Sequence, residues 1–158
     1  MSPHIPHAFR TPNPKRRDKT TVHRAASGRY DVYIGEQVLA AERAAERLRS
    51  HWENPFSENL RSKPEQAQLA FASLLRKRLS TQSPAWRLRV RMIKGLRLGC
   101  SCDGKHCHGR ILATLADGLP QEPELRASAN ESGLGFRRFV RLLVDRLLQE
   151  SPSAFSAK

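Results

Sequence analysis

Leu96-Arg97-Leu98-Gly99-Cys100-Ser101-Cys102-Asp103-Gly104-Lys105-His106-Cys107-His108-Gly109 runs from an alternating apolar segment straight into a Cys/His cluster, and Ile111, Leu112 and Leu115 follow at helical spacing up to Gly118. Alternation over 96–100 predicts a short strand, because successive strand side chains point to opposite faces. The later spacing predicts a helix that Gly118 ends. A strand passing through a tight loop into a helix is the building unit of an α/β layer.

Upstream, Ser83-Pro84 reads as the N-cap and first residue of a helix stopped by Gly95, with Trp86, Val90 and Ile93 on one face. Arg87, Arg91 and Lys94 share the opposite face, where three cations repel one another unless an anion sits among them. A ligand-facing phosphate stripe and a plain solvated face are both consistent with that spacing. Further back, Ser62 and Glu65 make a capping box with Pro64 in the first turn. The helix that follows has the apolar stripe Ala67, Ala70, Phe71, Leu74 and Leu75, with Arg76, Lys77 and Arg78 complementing its C-terminal dipole.

Thr20-Thr21-Val22 and Tyr30-Asp31-Val32-Tyr33-Ile34 are β-prone runs separated by Ser27-Gly28, and Gly35 ends the second. A thin helix is expected over Gln37–Arg49, then a loop at Asn54-Pro55-Phe56. Residues 1–19, rich in proline and cations, read as a disordered basic arm. Residues 120–132 read as a linker and 151–158 as a tail. Phe136, Phe139, Val140, Leu143, Val144 and Leu147 give residues 133–150 the strongest amphipathic stripe. That helix either docks on the domain or drives self-association.

Strands alternating with helices predict a single small α/β domain over residues 20–119, with a short, partly parallel sheet flanked by helices. The 158 residues suffice for one core, and no apolar run reads as a membrane span or secretory signal. Three cysteines within eight positions are wrong for a secreted disulfide framework, so a reducing, cytoplasmic setting is expected. The net charge of +13 gathers in residues 1–30 and 61–100. Such a surplus draws polyanions by counterion release, making nucleic acid or a phosphate-bearing small molecule the partner to expect.

Three readings fit the cluster. Cys100 and Cys102 point to one side of a strand end, and Cys107 with His108 closes a Cys3His zinc site across the Asp103-Gly104 turn. Alternatively, Cys107 is a thiolate at a helix N-terminus, activated by the helix field, with His106 or His108 carrying a proton in a thiol-dependent enzyme or beside a bound phosphate. Finally, the cysteines are plain core residues. Adjacent helical residues diverge by about 100°, so Cys107 and His108 share a metal only if the helix has not begun at Cys107.

Taken together, Tyr30-Asp31-Val32-Tyr33-Ile34-Gly35, Asn54-Pro55-Phe56, Cys100-x-Cys102 and Cys107-His108-Gly109 resemble the family known as domain of unknown function 4326, over roughly Val22 to Leu119. The resemblance implies an α/β fold and one shared site built from the YDVYIG strand end, the NPF loop and the CHG turn. It carries no activity with it. This chain has Glu36 where the family usually has arginine, Ser101 where it has tryptophan, and an insertion between Gly35 and Asn54. If the missing arginine binds an anion in relatives, Arg61 is the substitute at hand. Asp31, Gly35, Asn54 and Arg61 therefore join Arg87, Arg91 and Lys94 as candidate ligand contacts, although a strand-end polar residue, an Asx turn and a solvated charge are equally ordinary roles for Asp31, Asn54 and Arg61.

Overall fold

The structure, a computed structural model, describes residues 15–35, 52, 54–56, 60–100, 102 and 106–150. The helix expected over Gln37–Arg49, the tail and residues 1–14 of the arm lie outside these.

Among the described residues three strands form one sheet: β1 (Thr21–Arg24), β2 (Val32–Tyr33) and β3 (Arg97–Cys100). The order is β1-β3-β2 and both pairings are parallel, with Val22 and Val32 each opposite Leu98. The sheet is thus parallel throughout its described strands, beyond the partly parallel arrangement expected. β3 is central, so its residues must be apolar on both faces, and Leu98, Gly99 and Cys100 are all buried. β1 and β2 are joined by only seven residues, including a 3-10 turn at Ala25–Ser27, yet they flank β3 on opposite sides. That short connection needs room beside β3. Gly99 supplies it, since a Cβ there would stand 2.4 Å from the Tyr30 ring.

Among the described residues five helices surround the sheet: α1 (Pro64–Leu79), α2 (Ala85–Met92), α3 (His108–Gly118), α4 (Glu122–Glu131) and α5 (Phe136–Glu150). The core joins Val32, Ile34 and Leu98 of the sheet to Phe71, Leu75 and Leu79 of α1, Val90 of α2 and Ile111, Leu112 and Leu115 of α3. α5 docks on α1, α3 and α4 through Val140, Val144 and Leu148.

Several local expectations need correction. Pro64 is the first residue of α1 and Lys63 its N-cap, with no side-chain cap bond, so the Ser62/Glu65 capping box does not form. The buried face of α1 is also rotated: Gln68, Ala72 and Leu79 are enclosed, while Ala70 and Leu74 are half-buried. Residues 122–131, expected as linker, form α4, with Pro123 accommodated in the first turn and Leu125 and Ala129 buried. The arm is anchored over its described part. The Arg17 N–H donates to Gly95 O at 2.8 Å, Arg16 donates to Met92 O and Lys94 O, and the Thr20 N–H and hydroxyl donate to the Asp117 carboxylate.

Candidate metal centre

β3 delivers Cys100 to the C-terminal edge of a parallel sheet, the edge where α/β folds place their sites. α3 begins immediately opposite. Cys107 is its N-cap with extended backbone (φ −67°, ψ 127°), and His108 is its first helical residue. The helix has therefore not begun at Cys107, and the two neighbouring side chains turn to the same place. The donor atoms of Cys100, Cys102, Cys107 and His108 all lie within 4.8 Å of one another. Cys100, Cys107 and His108 are buried, Cys102 is half-buried, and the three cysteines carry free thiols.

His108 is oriented from both sides. Its Nε2 is 2.8 Å from Ile34 O, and a carbonyl only accepts, so Nε2 carries the proton. In the neutral ring Nδ1 then presents its lone pair to the sulfurs, 3.1 Å from Cys102 Sγ and 3.7 Å from Cys100 Sγ. The Phe71 ring packs edge-on against the imidazole at 5.1 Å between centroids. Backbone N–H groups support all three sulfurs: Cys102 N–H donates to Cys100 Sγ at 3.3 Å, and the His108 and Gly109 amides favour the thiolates of Cys102 and Cys107. The two latter amides are orphan donors of the first turn of α3, so the helix terminus is aimed at negative charge.

Three thiols this close share one charge poorly. Hydrogen bonds from Cys100 and Cys102 hold the Cys107 thiol down at about 2, against the opposing effect of burial. Hydrogen bonding with Cys102, and then with Cys107, pushes the Cys100 thiol far up, with burial adding to it. For Cys102 the Cys100 bond acts downward, but the bond to Cys107 and burial outweigh it and push the thiol up to about 12.

Tetrahedral zinc, with Zn–S about 2.3 Å and Zn–N about 2.0–2.1 Å, spaces its donors about 3.5–3.8 Å apart. The longer histidine distance, 3.7 Å, lies in that range and the shorter, 3.1 Å, falls below it; the Cys100–Cys102 pair, at 2.7 Å, is about an ångström tighter than a shared metal would hold it. Donor set, proximity and outer hydrogen bonds therefore fit a metal ion. Gly109 completes the packing: a Cβ there would lie 2.7 Å from Ile34 Cδ1 and 3.3 Å from Cys107 Sγ.

A family model described as Domain of unknown function (DUF4326) matches residues 14–118. The chain belongs to that family. No curated protein and no solved structure matches it. In this DUF4326 member two of the three motif segments meet at the cluster, the YDVYIG strand end through Ile34 O on His108 and the CHG turn through Cys107 and His108, while the NPF loop contacts α1. Asn54 donates to Ala67 O of α1 and accepts the Phe56 N–H in an Asx turn, while Gln68, next on α1, reaches Cys107 O at 3.5 Å.

The remaining expected site residues separate from the cluster. His106 is half-buried and outside the four-donor group. Asp31 is buried at the start of β2, accepting from the Arg97 N–H and guanidinium and paired with Arg17. Gly35 is buried at the strand end, and Arg61 is exposed before α1. Lys94 is exposed, but Arg87 and Arg91 do not form a ligand-facing stripe with it. Arg87 is fully buried, donating to Leu79 O, Thr81 O and the Glu122 carboxylate, and Arg91 donates to Pro120 O beside the same carboxylate. Their charge serves to fasten α4 to α2. The sequence reading missed the Ile34 carbonyl, Gln68 and Phe71 as neighbours of the site. Only Gln68 left a signal, as a polar residue between core positions Ala67 and Phe71.

Proposed function

We propose that Cys100, Cys102, Cys107 and His108 hold a structural zinc ion that pins β3 to the start of α3, and that the domain so fixed is a binding module for phosphate-bearing ligands, nucleic acid foremost. The observation that carries the zinc reading is the His108–Ile34 bond, which sets the tautomer and turns Nδ1 toward three clustered thiols. A metal-binding histidine is normally oriented in this way by its other nitrogen. Four protein ligands leave no open position for substrate, so the centre serves structure. A thiol enzyme using Cys107 is the weaker reading, because that side chain is 3% exposed and faces the other donors. The polyanion reading rests on the +13 charge.

Elemental analysis of the purified chain, with oligonucleotide binding measured across a salt series, tests both parts. Stoichiometric zinc that survives dialysis, and binding that weakens steeply as salt rises, are the expected results. A folded, zinc-free protein with three titratable thiols overturns the metal centre. Binding that is absent at low salt overturns the nucleic-acid module.

A further inference from the structure

Trp86 on α2 holds two arginines at once. The Arg78 guanidinium, from the last turn of α1, lies 4.3 Å from its ring centroid and that of Arg89 lies 5.1 Å from it. The ring is fixed by an edge contact with Trp52 at 6.3 Å between centroids. All three residues of this stack are half-buried.

Unlike the arginines held in ion pairs, these two have no balancing charge among the described residues. Arg17 and Arg97 share Asp31, Arg87, Arg91 and Arg126 converge on Glu122, Arg76 meets Asp145 and Arg146 meets Glu150. Among the described residues Arg78 and Arg89 have neither a carboxylate nor a carbonyl partner, and burial, with the nearby charge of Arg89, lowers the pKa of Arg78. A cation on an aromatic face gains only modestly at a partly exposed site. A second cation on the same ring adds repulsion that the stacking alone does not remove. Stacking does occupy the guanidinium faces and leave the in-plane N–H fork for an oxyanion, the geometry that suits phosphate.

The charge continues along the surface. Next to Arg78 on α1, Lys77 lines an open groove of about 450 Å³ with Phe56, Leu74, Arg76 and, from α5, Arg141. Lys77 and Arg141 have no partner among the described residues. A cation-lined track of this kind, with Phe56 in the groove wall, suits a strand of phosphodiesters better than a flat membrane.

We propose that Arg78 and Arg89, presented by Trp86, clamp a backbone phosphate of a nucleic-acid strand whose neighbouring phosphates run past Lys77 and Arg141. This rests on the nucleic-acid reading above and names its surface. The test uses the full zinc-loaded chain, a fluorescein-labelled oligothymidylate and anisotropy across a salt series. R78A/R89A is compared with R137A/R138A, which removes equal charge from exposed positions on α5, and with R78K/R89K, which keeps charge but not the planar fork. The clamp predicts a loss of about tenfold or more for R78A/R89A, a salt slope lower by about one, and partial loss for the lysine pair. Retained zinc and unchanged circular dichroism show that each variant is folded. Equal losses for both alanine pairs, or none for R78A/R89A while the wild type still binds, overturn the clamp and leave the nucleic-acid reading intact. Absence of wild-type binding to the oligonucleotide overturns both, and binding to anionic phosphatidylserine vesicles in its place assigns the track to a membrane.

Discussion

At Arg87 the fold encloses a guanidinium with no exposed surface, and Glu122, itself 19% exposed, supplies the only balancing carboxylate among the described residues. Removing one partner of an enclosed pair strands the other charge, a cost of several kcal/mol that partial exposure of the acid reduces. Glu122→Gln should therefore lower stability by about 2–4 kcal/mol in urea unfolding, with Arg87→Met less damaging because it removes the charge along with its need for a partner. A loss under about 0.5 kcal/mol for Glu122→Gln contradicts the clamp. Helical spacing placed Arg87 on an exposed stripe because periodicity reports a face and not the carboxylate that later covers it. The Cys/His cluster was legible for the opposite reason: cysteine and histidine at such density have few structural uses, whatever their packing. At Gly109 the CHG motif is a packing requirement, so Gly109→Ala should cost about 1–3 kcal/mol by forcing Ile34 or Cys107 aside, and should weaken metal retention if Cys107 gives way.

Among the elements, β3 and α3 were readable because an alternating strand and a helical stripe meet at a turn. α4 was not, since it buries only Leu125 and Ala129 of its ten residues, too few to make a stripe, and its Pro123 resembles a breaker until it is seen in the first turn. α5 declared its apolar face but not its destination. That face covers α1 and α3, where Gly118 admits Leu147 so closely that a Cβ would stand 2.5 Å from Leu147 Cδ2. The family match stops at residue 118, yet the core of this chain does not. A chain ending at Leu119 should lose cooperative unfolding and aggregate, because Val140, Val144 and Leu148 no longer cover the core and Arg87 loses Glu122. A soluble, cooperatively unfolding truncation contradicts the docked arrangement.

Across the whole molecule two carboxylates link strands and helices to acid sensitivity. Burial opposes ionisation of Asp31, but hydrogen bonds and charge from Arg97, aided by Arg17, leave it below its ordinary value. The Arg87 bond holds Glu122 down against burial, and the charges of Arg126 and Arg91 help. Each depressed group contributes stability that is complete above the unfolded carboxylate pKa, about 4, and is lost as pH falls through the lower folded value. The stability gap between wild type and Glu122→Gln should accordingly shrink between about pH 5 and pH 3; a gap independent of pH contradicts the assignment. At this scale the fold class was legible from the alternation of elements, whereas the strand order was not, because it depends on a crossing beside Gly99 that no local pattern announces. The charge of +13 pointed to a polyanion, but only coordinates separate cations spent on internal pairs from those at Trp86 and the α1–α5 groove.

Everything proposed for the centre turns on whether one metal joins these four donors. Zinc-edge X-ray absorption on the purified chain reads that directly. The account predicts one zinc per chain with three sulfur neighbours at about 2.3 Å and one nitrogen at about 2.0–2.1 Å, the nitrogen lost in His108→Ala. A folded chain without zinc, or a first shell that His108→Ala leaves unchanged, contradicts it.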